Sequence, residues 1–73
     1  MSRFPAELTV RLTDGHQVTE CFNQAEMAQF MRDHLMECLR AGKPVVVFDG
    51  ERLEIPAERV ASVQVVVQDL VAV

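Results

Sequence analysis

The first part of the chain alternates between polar and apolar side chains. Between residues 7 and 13 the apolar positions are Leu8, Val10 and Leu12, which share one face of an extended chain. A period of two is typical of a strand that buries one side. An Asp-Gly pair ends this strand, and residues 16–22 are predicted to form a second one.

The turn between these two strands decides how they pair. A two-residue loop sets Val10 opposite Thr19, whereas a three-residue loop with Gly15 in the left-handed conformation sets it opposite Val18. Only the second register keeps the apolar side chains on a common face. We therefore predict the three-residue loop.

A helical pattern follows the second strand. Apolar or weakly polar residues recur at intervals of three and four, which defines a stripe of Met27, Phe30, Met31, His34, Leu35, Cys38 and Leu39. We interpret this stripe as the buried face, with His34 as a neutral core imidazole. Asn23 and Glu26 have the spacing of a capping box, and Gly42 is suited to end a helix. The predicted helix covers residues 24–41.

Three further strands are predicted after the helix. Residues 45–48 and 52–55 are short segments around a second Asp-Gly turn, and residues 60–67 form the last strand. One face of the last strand carries Val63, Val65 and Val67. Its other face carries Val66 between two glutamines.

The element order β-β-α-β-β-β predicts an α+β fold. One helix covers one side of a mostly antiparallel five-strand sheet, which is a two-layer sandwich, and residues 1–73 form a single domain. The hairpin–helix–hairpin order resembles the β-grasp arrangement of ubiquitin-like proteins, and a β-grasp-like sheet is the alternative. Because the connection at residues 56–59 is short, we expect the last three strands to form an antiparallel meander instead of placing the last strand beside the first.

Composition narrows the classes of function. Seven Lys and Arg residues against eleven Asp and Glu residues give a net charge of −4, which repels a phosphate backbone, so we expect no nucleic-acid partner. No apolar segment is long enough to span a bilayer, and we expect no membrane association. The predicted helix separates Cys21 from Cys38 by roughly 20 Å. Both cysteines are therefore expected to be reduced, as in a cytoplasmic protein.

Few residues suit catalysis. The sequence has two serines, no tyrosine and one lysine, so no nucleophile, base and orienting group are apparent, and we expect neither enzymatic activity nor a cofactor. A weaker alternative is a metal or small-ligand site. It arises because the predicted topology brings one end of the helix over the first turn, near Asp14, His16, His34 and Cys38.

Several apolar residues have no predicted place in the core. They are Met36, Val66, Leu70, Val71 and Val73. An uncovered strand edge without Lys or Pro invites pairing, so we expect a homodimer that uses the last strand and the tail. The alternative is a tail folded over the monomer.

Acidic residues gather around the second hairpin, namely Asp49, Glu51, Glu54 and Glu58. They form either a solvated edge or a docking patch for a basic protein partner. The sequence as a whole predicts a small acidic interaction or regulatory module that self-associates through its sheet. A small-ligand or metal-binding regulatory domain is the alternative.

Overall fold

A computed structural model describes residues 4–68 of the protein. The elements, in chain order, are β1 (Ala6–Leu12), β2 (Gln17–Phe22), α1 (Ala25–Arg40), β3 (Val45–Phe48), β4 (Arg52–Ile55), a 3₁₀ turn (Ala57–Arg59) and β5 (Val60–Val67). The α+β class and the order β-β-α-β-β-β are confirmed, with one helix packed on antiparallel strands.

The five strands divide into two sheets. The large sheet has the order β2-β1-β5, and the small sheet is the β3–β4 hairpin. The large sheet is antiparallel throughout, and so is the hairpin. The sheets come together where the Glu20 carboxylate of β2 accepts a hydrogen bond from the Phe48 backbone N–H of β3, at 3.0 Å.

The expected meander of the last three strands is wrong, because β5 pairs with β1 and not with β4. The β-grasp alternative was right about this adjacency. A short connection suffices because the 3₁₀ turn passes directly beside the β1–β2 turn. There the Thr13 backbone N–H donates to the Arg59 carbonyl at 2.9 Å, and the Arg59 guanidinium lies 3.6 Å from the Asp14 carboxylate.

The first hairpin has the predicted register. Val10 pairs with Val18, and the Leu12 backbone N–H donates to the His16 carbonyl at 2.8 Å. Gly15 has a φ of 94°, in the left-handed region that the three-residue loop requires. The apolar faces of β1 and β2 therefore lie on the same side of the sheet.

The two ends of α1 differ in how well the sequence predicts them. Its N-cap is Gln24, without a side-chain capping bond, so the capping box expected at Asn23 is wrong. The C-terminal end is as predicted. Gly42 has a φ of 73°, and the backbone N–H groups of Gly42 and Lys43 donate to the carbonyls of Leu39 and Cys38. This is the Schellman arrangement.

The core lies between α1 and the two sheets. Its buried members include Leu8, Val10, Leu35, Val45, Val47 and Ile55. A second cluster forms where Ala25 and Ala28 of the helix meet Ala6 of β1. Small side chains let the backbones approach closely, so the alanines and Leu35 define the buried face of α1.

The predicted helix face is partly wrong. Leu35 is buried and Met31, Cys38 and Leu39 are partly buried, but Met27 and Phe30 are 56% and 75% exposed. His34 is also exposed and is not a core imidazole. Three strands spaced by about 4.8 Å are no wider than the helix itself. Such a sheet buries a narrow arc of α1 and leaves one side of the apolar stripe uncovered.

Two alanine substitutions in α1 test this orientation. We expect Leu35→Ala to lower the free energy of unfolding by roughly 2–5 kcal/mol, because it leaves a cavity in the core. The matched control, Phe30→Ala, should change it by no more than about 0.5 kcal/mol, because that ring is largely in water. Urea denaturation of both variants measures the difference. Equal losses would contradict the helix orientation.

Candidate functional site

The outer side of β5, here called the β5 edge, presents backbone groups with no strand beside them within residues 4–68. The Gln68 backbone N–H donates to the Pro5 carbonyl at 2.9 Å, and hydrogen bonding alternates along an antiparallel ladder. Even-numbered residues of the regular part of β5 therefore point their backbone groups toward β1. The backbone N–H and C=O groups of Val63, Val65 and Val67 point outward.

The β5 edge lacks the usual protection against pairing. Val60–Val67 has the sequence VASVQVVV, with no charged residue and no proline. The one irregularity is near its start, where the register with β1 shifts between Arg11 and Leu12. Natural edge strands are commonly guarded by charges, prolines or bulges. Beyond this early bulge, β5 is a regular and uncharged edge.

The opposite edge of the large sheet is different. β2 carries Glu20, whose carboxylate reaches across to the small sheet and accepts the Phe48 N–H. That contact places β3 alongside β2 without forming a ladder. Of the two outer strands of the large sheet, only β5 is left without a neighbouring element on its outer side in the part of the chain that the structure describes.

The side of the large sheet that faces away from α1, here called the open face, is mostly polar. Thr9 and Thr19 lie across from each other with hydroxyl oxygens 3.5 Å apart. Val66 lies on this face as predicted and is 47% exposed. It sits opposite Glu7, whose carboxylate accepts a hydrogen bond from the Gln68 side-chain amide at 3.0 Å.

Of the other predicted interface residues, only Met36 lies within residues 4–68. Met36 is 37% exposed on α1. It lies three helical turns after Ala25, on the same side of the helix, and the Ala25 cluster packs against Val65 of β5. Met36 therefore lies on the flank of α1 that carries Ala25. The predicted tail residues Leu70, Val71 and Val73 lie outside the described residues.

All four residues of the predicted acidic patch are exposed. Asp49 and Glu51 lie at the β3–β4 turn, while Glu58 lies in the 3₁₀ turn beyond the other end of β4. Glu54, between them, is 3.6 Å from the Arg52 guanidinium, which offsets its charge. The acidic residues are thus spread along the small sheet, with the most concentrated negative charge at its turn.

Each histidine pairs with a different residue, and Cys21 lies apart from both pairs. His16 Nδ1 lies 2.9 Å from the Asp14 carboxylate at the first turn. His34 Nε2 lies 3.8 Å from Cys38 Sγ on α1. Cys21 is exposed on the open face, and both cysteines are free thiols. Within residues 4–68 no three His, Cys, Asp or Glu side chains come together as a metal site.

Residues 4–68 enclose no pocket, and none of their helices has the length and apolar character needed to cross a bilayer. Their buried residues are all hydrophobic. No protein-family model, characterised protein or solved structure matches the chain. The geometry of the β5 edge is therefore what identifies the candidate site.

Sequence reasoning missed part of this site. Val67 shares a face with Val63 and Val65, as the pattern predicts, but it is 38% exposed, and alternation alone does not show that its backbone groups point outward. Met27 and Phe30 were assigned to the core. The presence of alanines at 25 and 28 is the signal that locates the true buried face, because a close helix approach needs small residues there.

Titration of Asp14 tests the geometry of the β1–β2 turn. Hydrogen bonds from the His16 backbone N–H and from its ring, with the charges of His16 and Arg59, lower the pKa of Asp14 below its ordinary value. We expect carboxyl NMR titration to show this, and His16→Ala to raise the pKa only partly, because the backbone bond is the largest cause and remains. A wild-type pKa at or above about 3.9, the ordinary value for Asp, would contradict the geometry.

The sign of the stability effect follows from that direction. The folded state favours the charged carboxylate, so Asp14 contributes stability at pH values above its unfolded pKa. This contribution is lost as the pH falls through the lowered folded pKa.

Proposed function

We propose that this protein is a non-catalytic interaction module that forms a homodimer by pairing two β5 edges. The observation that carries the proposal is the uncharged β5 edge, which offers outward backbone groups at Val63, Val65 and Val67. Two copies of the same strand satisfy these groups about a two-fold axis, which is the commonest symmetry of homo-oligomers. The product is a continuous six-stranded sheet.

Two-fold symmetry determines the geometry of the proposed pairing. Antiparallel pairing of β5 with its copy places the axis perpendicular to the sheet, so both helices lie on the same side. Most of the polar open face then stays in water in both copies, which suits its threonines and glutamines, and only its margin at β5 meets the partner. A face-to-face dimer through the open face would instead bury Glu7 and Arg11 of each copy, at a high desolvation cost.

Side chains add to the backbone pairing. Val67 at the edge and Val66 on the open face are 38% and 47% exposed, and each can pack against the side chain opposite it on the partner's strand. Full burial of one such side chain contributes roughly 1.5–3 kcal/mol. A micromolar dimer needs about 8 kcal/mol, so these contacts together with the strand pairing are of the right order.

The acidic turn of the small sheet lies away from the β5 edge. Asp49 and Glu51 are exposed there, and the net charge of −4 favours a basic partner over a nucleic acid. We place docking of a basic protein surface at this turn as the second part of the proposal. Two reduced thiols are consistent with action in the cytoplasm.

A matched pair of lysine variants tests the dimer. Val66 and Cys21 both lie opposite Glu7 on the open face, but Val66 is on β5 and Cys21 is on β2. We expect Val66→Lys to weaken dimerisation by about tenfold or more, because a lysine on an edge strand opposes pairing. Cys21→Lys should leave it unchanged. Light scattering on a dilution series measures both.

Two results would contradict the dimer. One is a monomeric mass for the wild-type protein throughout the micromolar range. The other is equal weakening by Val66→Lys and Cys21→Lys. Deletion of residues 69–73 separately tests the predicted role of the tail. If Leu70, Val71 and Val73 contact the partner, the deletion should weaken a confirmed dimer.

A further inference from the structure

The apolar stripe of α1 continues out of the core and into solvent. Phe30 is 75% exposed, more than any other large hydrophobic side chain within residues 4–68, and Met27, one turn before it, is 56% exposed. His34, one turn after Phe30, is exposed as well. These three residues, here called the Phe30 ridge, have the spacing of one helix face. An exposed aromatic ring between other large side chains is typical of an interaction surface.

Carboxylates flank Phe30 on the surface of the helix. Its neighbours there are the residues three and four positions away, namely Glu26, Met27, Asp33 and His34. Both acidic residues are exposed, and none of the four is Lys or Arg. The Phe30 ridge is therefore an apolar ridge with a negatively charged margin.

This margin selects among the possible occupants of the ridge. A second copy of the chain brings its own Glu26 and Asp33 against the same residues, and like charges oppose that contact. Nucleic acid and anionic lipid are repelled for the same reason. Residues 69–73 of the chain carry Asp69 and no Lys or Arg. Charge complementarity is met by a basic protein segment.

We propose that the Phe30 ridge binds an amphipathic helix of a second protein, which places apolar residues on the ridge and Lys or Arg residues along its margins. The ridges of one helix pack into the grooves of another, so Phe30 is the aromatic anchor. The partner's cations then lie beside Glu26 and Asp33. The ridge shares no residue with the β5 edge or with the acidic turn at Asp49 and Glu51, so this inference goes beyond the proposed function.

A fluorescein-labelled helical peptide of about 18 residues, or five turns, is the probe. It has leucines on one face and lysines elsewhere, and fluorescence anisotropy measures its dissociation constant. We expect Phe30→Ala to weaken binding by about tenfold or more, as for an interface anchor. The matched control Met36→Ala, which truncates an exposed apolar residue on another side of α1, should leave binding unchanged.

A pair of charge reversals locates the peptide. We expect Asp33→Lys to weaken binding by about threefold or more, because it replaces an attraction with a repulsion. Glu51→Lys changes the net charge by the same amount at the β3–β4 turn and should weaken binding less. The same peptide with glutamate in place of lysine should not bind.

Circular dichroism verifies the fold of each variant, and Phe30→Ala is expected to fold because the ring is largely in water. The proposal is overturned if the lysine peptide does not bind in the micromolar range, or if Phe30→Ala weakens binding no more than Met36→Ala. It is also overturned if Glu51→Lys weakens binding as much as Asp33→Lys, which places the peptide at the acidic turn and supports the docking proposed there. Tighter binding after deletion of residues 69–73 assigns the ridge to the tail and overturns it as well.

Discussion

The pairing of β5 with β1 is the constraint on which the rest of the structure depends. It makes β1 the central strand, hydrogen-bonded on both sides, with Leu8 and Val10 fully buried beneath the helix. It also fixes which backbone groups of β5 are used internally and which point outward. A pairing of β5 with β4 would have made β1 an outer strand and exposed the most buried part of the core.

Local features were predictable from the sequence, because neighbouring residues determine them. The loop at Gly15 and the end of the helix at Gly42 both follow from the need for a residue with positive φ. The alternation of β5 correctly assigned Val66 to the open face. These features depend on a few adjacent residues and require no knowledge of which strands meet.

The choice of neighbour for β5 was not predictable in the same way. A period of two identifies the two faces of a strand but does not name the strand beside it. The meander expectation assumed that β4 and β5 belong to one sheet. Once β3 and β4 form a separate hairpin, the 3₁₀ turn beside Asp14 is long enough to deliver β5 to the edge of β1.

The helix shows a similar limit of prediction from sequence, because helical spacing does not determine which residues are buried. The stripe that includes Phe30 and His34 has helical spacing, and spacing alone assigns it to the core. The actual burial depends on the width of the sheet beneath, which three strands set. The spacing of His34 and Cys38 was visible in the sequence, but the exposure of His34 was not.

Size explains why the sites lie on the surface. A chain of 73 residues has a total stability of about 4–11 kcal/mol, and burying an uncompensated polar group costs a large part of it. The described core accordingly contains only hydrophobic residues. Recognition must then depend on exposed groups, because placing them at the surface costs the fold little. The outward backbone N–H and C=O groups of the uncharged β5 edge are such groups.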